Sequence, residues 1–145
     1  MDEHGTCKLF PEFALVYEDN RFWIGIREYF PSDGGSLPSW TWSIIRISPF
    51  DPRCVYGFYT HDGIYGSHLL TQLQGDIILS NILCIEPRPN LVQRQLIYRT
   101  LRLVGHYAYN GKSEIQIARA RKFVTVYDKQ KTPNWEEIVN AHAYA

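Results

Sequence analysis

Three helix-start signals in the middle of the chain constrain its fold more than any other feature. Each places a capping side chain just before a helical segment, where it satisfies backbone N–H groups that the first turn leaves unpaired. One signal adds a proline at the first helical position, and the other two add a glutamine three residues after the cap, which completes a capping box. The signals are Asp51-Pro52, Thr71 with Gln74, and Asn90 with Gln93. They predict helices over about residues 52–65, 72–83 and 91–107.

Within the third of these segments, apolar residues recur at helical spacing and predict the face that packs against the core. These residues are Leu91, Leu96, Ile97, Leu101 and Val104. A helix with such a face is stable when another element covers it. The third helix is therefore expected to pack against the other two in a three-helix core.

Apolar and aromatic residues on either side of a polar turn predict a β-hairpin near the start of the chain. Its strands cover about residues 13–17 and 22–24, and Asp19 and Asn20 favour the turn between them. Two more short strands are predicted at 115–117 and 123–127, and Thr132-Pro133 predicts a short C-terminal helix. The expected fold class is α+β: a small antiparallel sheet or hairpin packed on a three-helix core, in a single domain over 1–145.

The composition is that of a globular domain without a global electrostatic preference. The chain has 145 residues, 45% of them hydrophobic, and its 15 Lys and Arg balance its 15 Asp and Glu. A neutral balance gives no strong nucleic-acid signal. Three widely spaced cysteines predict neither a disulfide framework nor a zinc ribbon, and the N-terminus lacks the apolar segment of a signal peptide. No apolar run has the length of a transmembrane segment, so a cytoplasmic protein is expected.

A histidine, two aspartates and a tyrosine form the most informative cluster for function. On the first helix His61 and Tyr65 share a face, whereas Asp62 is rotated by about 100° from His61. Asp76 lies in the first turns of the next helix, which a short connection folds back beside the first. Asp76 is therefore expected to accept a hydrogen bond from His61 and to fix its tautomer, as in a catalytic triad. Asp62, which points elsewhere, is then a candidate metal ligand.

The same cluster has a second interpretation, because buried polar side chains between packed helices commonly form a structural hydrogen-bond network. The sequence alone does not decide between a catalytic and a structural role of the cluster. A glycine loop, Asp33-Gly34-Gly35-Ser36, is either a tight turn or a loop that lends carbonyl oxygens or Ser36 to a site. Trp40 and Trp42 belong either to the core or to an exposed binding edge, and His106 is a further candidate binding residue.

Four separated motifs along the chain carry a resemblance to a known family. The motifs are Asp33-Gly34-Gly35-Ser36-Leu37-Pro38, His61-Asp62-Gly63-Ile64-Tyr65, Gly75-Asp76 and Val104-Gly105-His106. In order and spacing they resemble small, functionally uncharacterised proteins found mostly in tailed phages and prophages, over about residues 13–109, with 110–145 as a C-terminal extension. One position departs from that pattern, since an arginine that usually stands four residues before the second aspartate is Gln72 here. The resemblance implies a protein of the cytoplasm of an infected bacterium or of the virion.

The histidine site is also similar, more distantly, to that of phospholipase A-two enzymes. These enzymes combine a glycine-containing calcium loop with His-Asp-x-x-Tyr on one helix and Asp on a neighbouring helix. The likeness implies that His61 activates a water molecule, that Asp76 orients His61, and that Tyr65 supports Asp76.

The phospholipase likeness also implies a divalent cation. The ligands would be Asp62 and carbonyl oxygens near Gly34 and Gly35, and Asp33 is a further candidate ligand beside them. Ca²⁺ is the expected ion, ahead of Mg²⁺ or Zn²⁺, and it would polarise an ester carbonyl.

Two functions are expected ahead of a third. The first is a phage-encoded hydrolase with a metal-assisted site, which the glycine loop together with His61, Asp62 and Asp76 favours. The second is a non-catalytic virion, tail or host-interaction protein whose cluster is structural; its motive is the aromatic content of 14%, because Tyr and Trp offer large, rigid contact area to a phage or host protein partner. The third, nucleic-acid binding or inhibition of a host defence complex, rests only on the phage resemblance. Whether His61 lines an open cleft or is enclosed distinguishes the first two.

Overall fold

The computed structural model describes residues 4–31, 46, 48 and 51–143, and it contains a four-stranded antiparallel sheet. The strands lie side by side in chain order. They are β1 (Thr6–Phe10), β2 (Phe13–Glu18), β3 (Phe22–Ile26) and β4 (Val124–Asp128). Strand β4 confirms the predicted strand at 123–127. It pairs with β3, with Phe22 opposite Asp128 and Ile26 opposite Val124, so a late segment of the chain completes the sheet.

The predicted hairpin consists of β2 and β3, and one aspartate holds its turn. Asp19 Oδ1 accepts hydrogen bonds from the backbone N–H groups of Arg21 (2.8 Å) and Phe22 (2.7 Å). This side-chain-to-backbone bonding is the reason why Asp favours turns. The hairpin prediction is confirmed, whereas β1, which pairs with β2, lies outside the predicted elements.

Five helices occur in the described part of the chain. They are α1 (Val55–Ser67), α2 (Gln72–Ile82), α3 (Leu91–Asn110), α4 (Glu114–Arg121) and α5 (Trp135–Ala143). The first three, α1 to α3, are the predicted core helices. Both predicted capping boxes are present, at Thr71 with Gln74 and at Asn90 with Gln93. The predicted C-terminal helix is α5. Within the described residues, no helix combines the length and the apolar character needed to cross a membrane.

Helix α1 begins later than its start signal predicts. The Asp51 carboxylate binds its near neighbour instead of capping the helix: it accepts hydrogen bonds from the backbone N–H of Arg53 (2.9 Å) and from Arg53 Nε (3.0 Å). The N-cap position belongs to Cys54, whose side chain makes no capping hydrogen bond. Because the Asp51 side chain is engaged in this local turn, the helix begins at Val55.

The predicted strand at 115–117 is wrong, since these residues form part of α4. Ser113 Oγ accepts a hydrogen bond from the backbone N–H of Gln116 (3.2 Å), and Gln116 Oε1 accepts one from the backbone N–H of Ser113 (2.8 Å). This is a third capping box, and it stabilises a helix start. It outweighs the β preference of Ile115 and Ile117, helped by the Ala and Arg residues that follow.

Helix α1 contacts both the sheet and α2. A Cβ added at Gly63 would lie only 2.8 Å from Ile26 Cδ1, so glycine allows the helix to approach β3 closely. On its other side, Phe58 of α1 belongs to a buried cluster that includes Leu79 of α2 and Leu101 of α3. The first three helices therefore share a core, and the sheet packs against α1.

Helix α3 has two apolar faces, and only one of them packs on the core. Ile97 and Leu101 are buried, as the sequence predicts. Leu91 and Leu96, predicted for the same face, are 60% and 37% exposed. Leu96 is rotated by about 140° from Leu101 around the helix axis, which is too far for both to contact the core. The predicted buried face of α3 was therefore wider than the face that contacts the core.

Candidate functional site

The structure brings His61 of α1 and Asp76 of α2 together, as the sequence predicts. His61 Nε2 lies 2.9 Å from Asp76 Oδ1, and both side chains are fully buried. The chain turns between the two helices at His68, which takes the left-handed conformation with a φ of 53°. The backbone N–H of His68 donates to the Ile64 carbonyl and closes the last turn of α1.

Two further side chains donate hydrogen bonds to Asp76. The Tyr65 hydroxyl donates to Oδ1 at 2.6 Å, and Arg102 Nη1 of α3 donates to Oδ2 at 2.8 Å. We call His61, Tyr65, Asp76 and Arg102 the Asp76 network. Arg102 is not among the predicted site residues, because no local sequence pattern links it to Asp76 on a different helix.

Arg102 supplies the positive charge beside Asp76, whereas the position four residues before Asp76, at the start of α2, holds the neutral Gln72. Here the positive charge beside Asp76 comes from a different helix, and the Arg102–Asp76 ion pair has an N–O distance of 2.8 Å. The buried carboxylate is therefore neutralised without an arginine on its own helix.

The charge state of the network follows from burial and hydrogen bonding together. Burial raises the pKa of Asp76, but hydrogen bonds from His61, Tyr65 and Arg102 outweigh it and bring the pKa below its ordinary value. Burial lowers the pKa of His61 more than the neighbouring carboxylate raises it, so the imidazole is neutral at pH 7. Burial, and then the bond to Asp76, raise the pKa of Tyr65, so the phenol keeps its proton.

A neutral His61 carries its proton on Nε2 and donates a hydrogen bond from Nε2–H to Asp76. Its other ring nitrogen, Nδ1, is then a hydrogen-bond acceptor. Nδ1 is buried and has no partner among the described residues. An imidazole held by a carboxylate at one nitrogen, with a free lone pair at the other, has the orientation of a general base. A base also needs a water or a substrate within reach, and the His61 side chain has no exposed surface.

Gly105 of α3 makes room for the network. A Cβ at this position would lie 2.6 Å from Tyr65 Oη and 3.3 Å from Gln72 Nε2. Glycine therefore lets α3 approach the phenol that binds Asp76. The adjacent His106, a predicted binding residue, is half-buried and packs its ring on that of Tyr107, with 4.0 Å between the centroids. His106 lies outside the network.

Asp62 lines a separate cavity. The cavity has a volume of about 200 Å³, and Tyr65 is the network residue that also lines it. Lys112 and Arg119 contribute to its wall as well, and neither is among the predicted site residues. Their positive charges weaken the attraction of a cation to Asp62.

Most of the predicted calcium site lies outside the described residues. They contain no group of three or more His, Cys, Asp or Glu side chains that could hold a metal ion. Asp62 is the one predicted metal ligand among them. The other predicted metal and binding residues lie outside the described part of the chain: Asp33, Gly34, Gly35, Ser36, Trp40 and Trp42. The calcium site stays a prediction, and we derive no chemical step through a metal.

Comparison with known proteins assigns no family. No family model, no curated protein and no solved structure matches the chain. The resemblances to the phage family and to phospholipase A-two enzymes therefore stay predictions that rest on the motifs. The geometry of the Asp76 network is the main evidence for what the site does.

Proposed function

We propose that the protein is a non-catalytic interaction protein of a phage or prophage, bound to the virion or to a host protein, and that the Asp76 network is structural. The observation that carries this proposal is the complete burial of His61 and Asp76. A general base has to reach a substrate proton directly or through one water. A histidine without exposed surface is better suited to donate a hydrogen bond to a buried carboxylate.

The arrangement of donors supports the structural role. The three donors to Asp76 come from α1 and α3, while the carboxylate itself belongs to α2. A buried charge is strongly destabilising when one of its partners is lost. The network therefore favours one mutual position of the three helices, which apolar packing alone specifies less strictly.

The ionisation of His61 tests the structural role. In an NMR titration of ¹⁵N-labelled protein, with the ring signals assigned by a His61→Gln variant, we expect the neutral Nε2–H tautomer to persist at pH 6.5, where an open imidazole is half protonated, because burial lowers the pKa of His61. A ring that titrates near the ordinary histidine pKa of 6.5 would show that the imidazole is open to water. That result would contradict the structural role.

The location of the protein tests the interaction role. In a gradient of phage or induced-prophage lysate, we expect the protein to sediment with particles or in a complex with a host protein. A protein that sediments as a free monomer at every stage of infection would contradict this part of the proposal. Sedimentation does not depend on the His61 titration, so the two parts fail separately.

A second candidate function, a metal-assisted hydrolase, is favoured by one specific observation. His61 Nδ1 is a buried acceptor without a described partner, while Asp76 holds Nε2. This function requires that the groups around Nδ1 move to admit water. Titration calorimetry with Ca²⁺, Mg²⁺ and Zn²⁺ on the wild type and on Asp62→Ala tests the metal. Metal binding that Asp62→Ala abolishes, with ester hydrolysis that His61→Gln abolishes, would replace the structural proposal.

A further inference from the structure

The side of α3 that faces away from the core carries a row of exposed apolar side chains. Val92 is 67% exposed, and Leu103 and Tyr107 are each 74% exposed. Leu96 lies between Val92 and Leu103 along the row. We call these four residues, together with Arg99 among them, the α3 stripe. Monomeric proteins rarely expose a large contiguous apolar patch unless it binds something.

The stripe has the geometry of a helix-binding surface. Its apolar residues are four, seven and four positions apart. At about 100° per residue they fall within a sector of about 60° around the helix axis. The stripe is about 22 Å long, because an α-helix rises about 1.5 Å per residue. A partner helix of about four turns has this length.

The charged residues of α3 have one sign. Helix α3 contains three arginines and no Asp or Glu. Arg102 is paired with Asp76, and Arg94 donates to the Pro89 carbonyl. For Arg99, the described residues provide no ion pair. The neighbouring α2 has one acidic residue, the buried Asp76, so α2 offers no exposed carboxylate to neutralise Arg99.

A groove beside the stripe adds concave contact area. It has a volume of about 380 Å³ between α2 and α3, and Cys84, Leu91, Tyr98 and Arg99 contribute to its wall. Leu91 is itself exposed. The groove can therefore receive one large apolar side chain from a helix that lies on the stripe.

We propose that the α3 stripe binds an amphipathic helix of a partner protein with acidic residues beside its apolar face. The inference rests on the proposed function, since it names the surface and the partner chemistry of an interaction protein. The apolar side chains of the partner cover the four apolar residues of the stripe, and a carboxylate of the partner pairs with Arg99. Helix-in-groove recognition uses apolar anchors at spacings of three, four and seven, which match those of the stripe.

A displayed library of helical peptides, selected on the full chain, tests this partner chemistry. We expect the enriched peptides to carry Asp or Glu beside an apolar face. Leu103→Ala and Arg99→Glu should each weaken their binding by about 10-fold or more. Replacing the acidic residues of the peptide with Lys should restore binding to Arg99→Glu. The matched controls, Ile115→Ala and Arg119→Glu, change exposed residues of α4 and should bind like the wild type.

Several outcomes would overturn the docking proposal. Enriched peptides that lack acidic residues, or that bind Leu103→Ala as well as the wild type, would do so. A concentration-dependent dimer that Leu103→Ala abolishes would show that a second copy covers the stripe. Binding to phosphatidylglycerol vesicles that Arg99→Glu abolishes, without peptide enrichment, would assign the stripe to a membrane surface. Particle association that persists in Leu103→Ala would overturn the docking surface and leave the interaction role intact.

Discussion

Asp76 carries a negative charge at the junction of three helices without any exposed surface. The charge is tolerated because His61 and Tyr65 donate hydrogen bonds to one carboxylate oxygen and Arg102 pairs with the other. Arg102 is partly exposed, so its own positive charge keeps contact with water. The buried charge is thus compensated by a group that itself is only partly desolvated, which limits the energetic cost of the pair.

Replacing Asp76 with Asn keeps the size of the side chain and removes its charge. We expect the free energy of unfolding in urea to fall by about 3 kcal/mol, because Arg102 loses its counter-charge and the carboxylate hydrogen bonds weaken. Arg102→Gln should also destabilise the protein. The matched control is Arg99→Gln on the same helix, where the described residues provide no ion pair, and it should change stability by less than about 0.5 kcal/mol. Equal stability of Asp76→Asn and the wild type would argue against a structural network.

The lowered pKa of His61 predicts a loss of stability in acid. The unfolded chain binds this proton near pH 6.5, whereas the folded chain binds it only at lower pH. Stability is therefore lost as the pH falls from 6.5 towards the folded-state pKa, by up to about 1.4 kcal/mol per pH unit. Denaturation at several pH values should show this slope in the wild type and a smaller one in His61→Gln.

An unchanged slope in His61→Gln would assign the acid sensitivity to other groups. Asp76 acts in a separate, lower window. Its pKa is also lowered in the folded state, so its contribution is present above the unfolded value of 3.8 and is lost as the pH falls below that value. The two windows can be separated in one series of measurements.

At the scale of the elements, local chemistry explains which predictions were right. The capping boxes at Thr71 and Asn90 predicted the starts of α2 and α3, because their hydrogen bonds form within four residues and need no tertiary partner. The box at Ser113 works in the same way, but the isoleucines after it suggested a strand. The predicted start of α1 was too early, because the Asp51 carboxylate binds Arg53 and does not cap the helix.

Long-range partners explain what the sequence could not reveal. The His61–Asp76 contact was predictable because a short connection joins their helices. Arg102 lies 26 positions from Asp76, and no local pattern links the two. Strand β1 pairs with β2 through backbone groups that every residue carries, so its side chains gave no equivalent signal.

Gly105 controls the distance between α3 and α1. A methyl group at this position meets Tyr65 Oη, so we expect Gly105→Ala to destabilise the protein by about 1–3 kcal/mol despite the better helix propensity of Ala. Circular dichroism during thermal unfolding measures the effect. In a Tyr65→Phe background the hydroxyl is absent, and the penalty of Gly105→Ala should shrink. An additive double mutant would place the clash elsewhere.

At the scale of the whole molecule, the C-terminal extension belongs to the folded body. Ala120 of α4 packs against Gly66 of α1, where an added Cβ would lie 3.2 Å from the Ala120 methyl group. Strand β4 pairs along β3. Val139 of α5 is buried in a cluster with Trp23 of β3. Residues 13–109 alone, which carry the predicted resemblance, therefore lack partners of both the sheet and α1.

Two truncations test how much of the extension the fold needs. A chain of residues 1–121 lacks β4, so we expect no cooperative thermal unfolding, because β3 loses one of its two strand partners and that edge is left unpaired. A chain of residues 1–131 keeps β4 and loses only α5. It should unfold cooperatively at a lower temperature, since the burial around Val139 is lost. A cooperative transition of the shorter chain at the wild-type temperature would contradict the prediction.

Because β3 pairs with β4, the sheet cannot be completed during synthesis until β4 has left the ribosome. Arg21 and Asp128, which meet beside this pairing, are 107 positions apart. While the chain is being made, β3 emerges early and keeps one open side until nearly all of the helices have followed. An unpaired strand edge can pair with other nascent chains, and the risk of aggregation grows with the time that the edge stays unpaired. Slow translation of the helical segment should therefore lower the yield of folded protein.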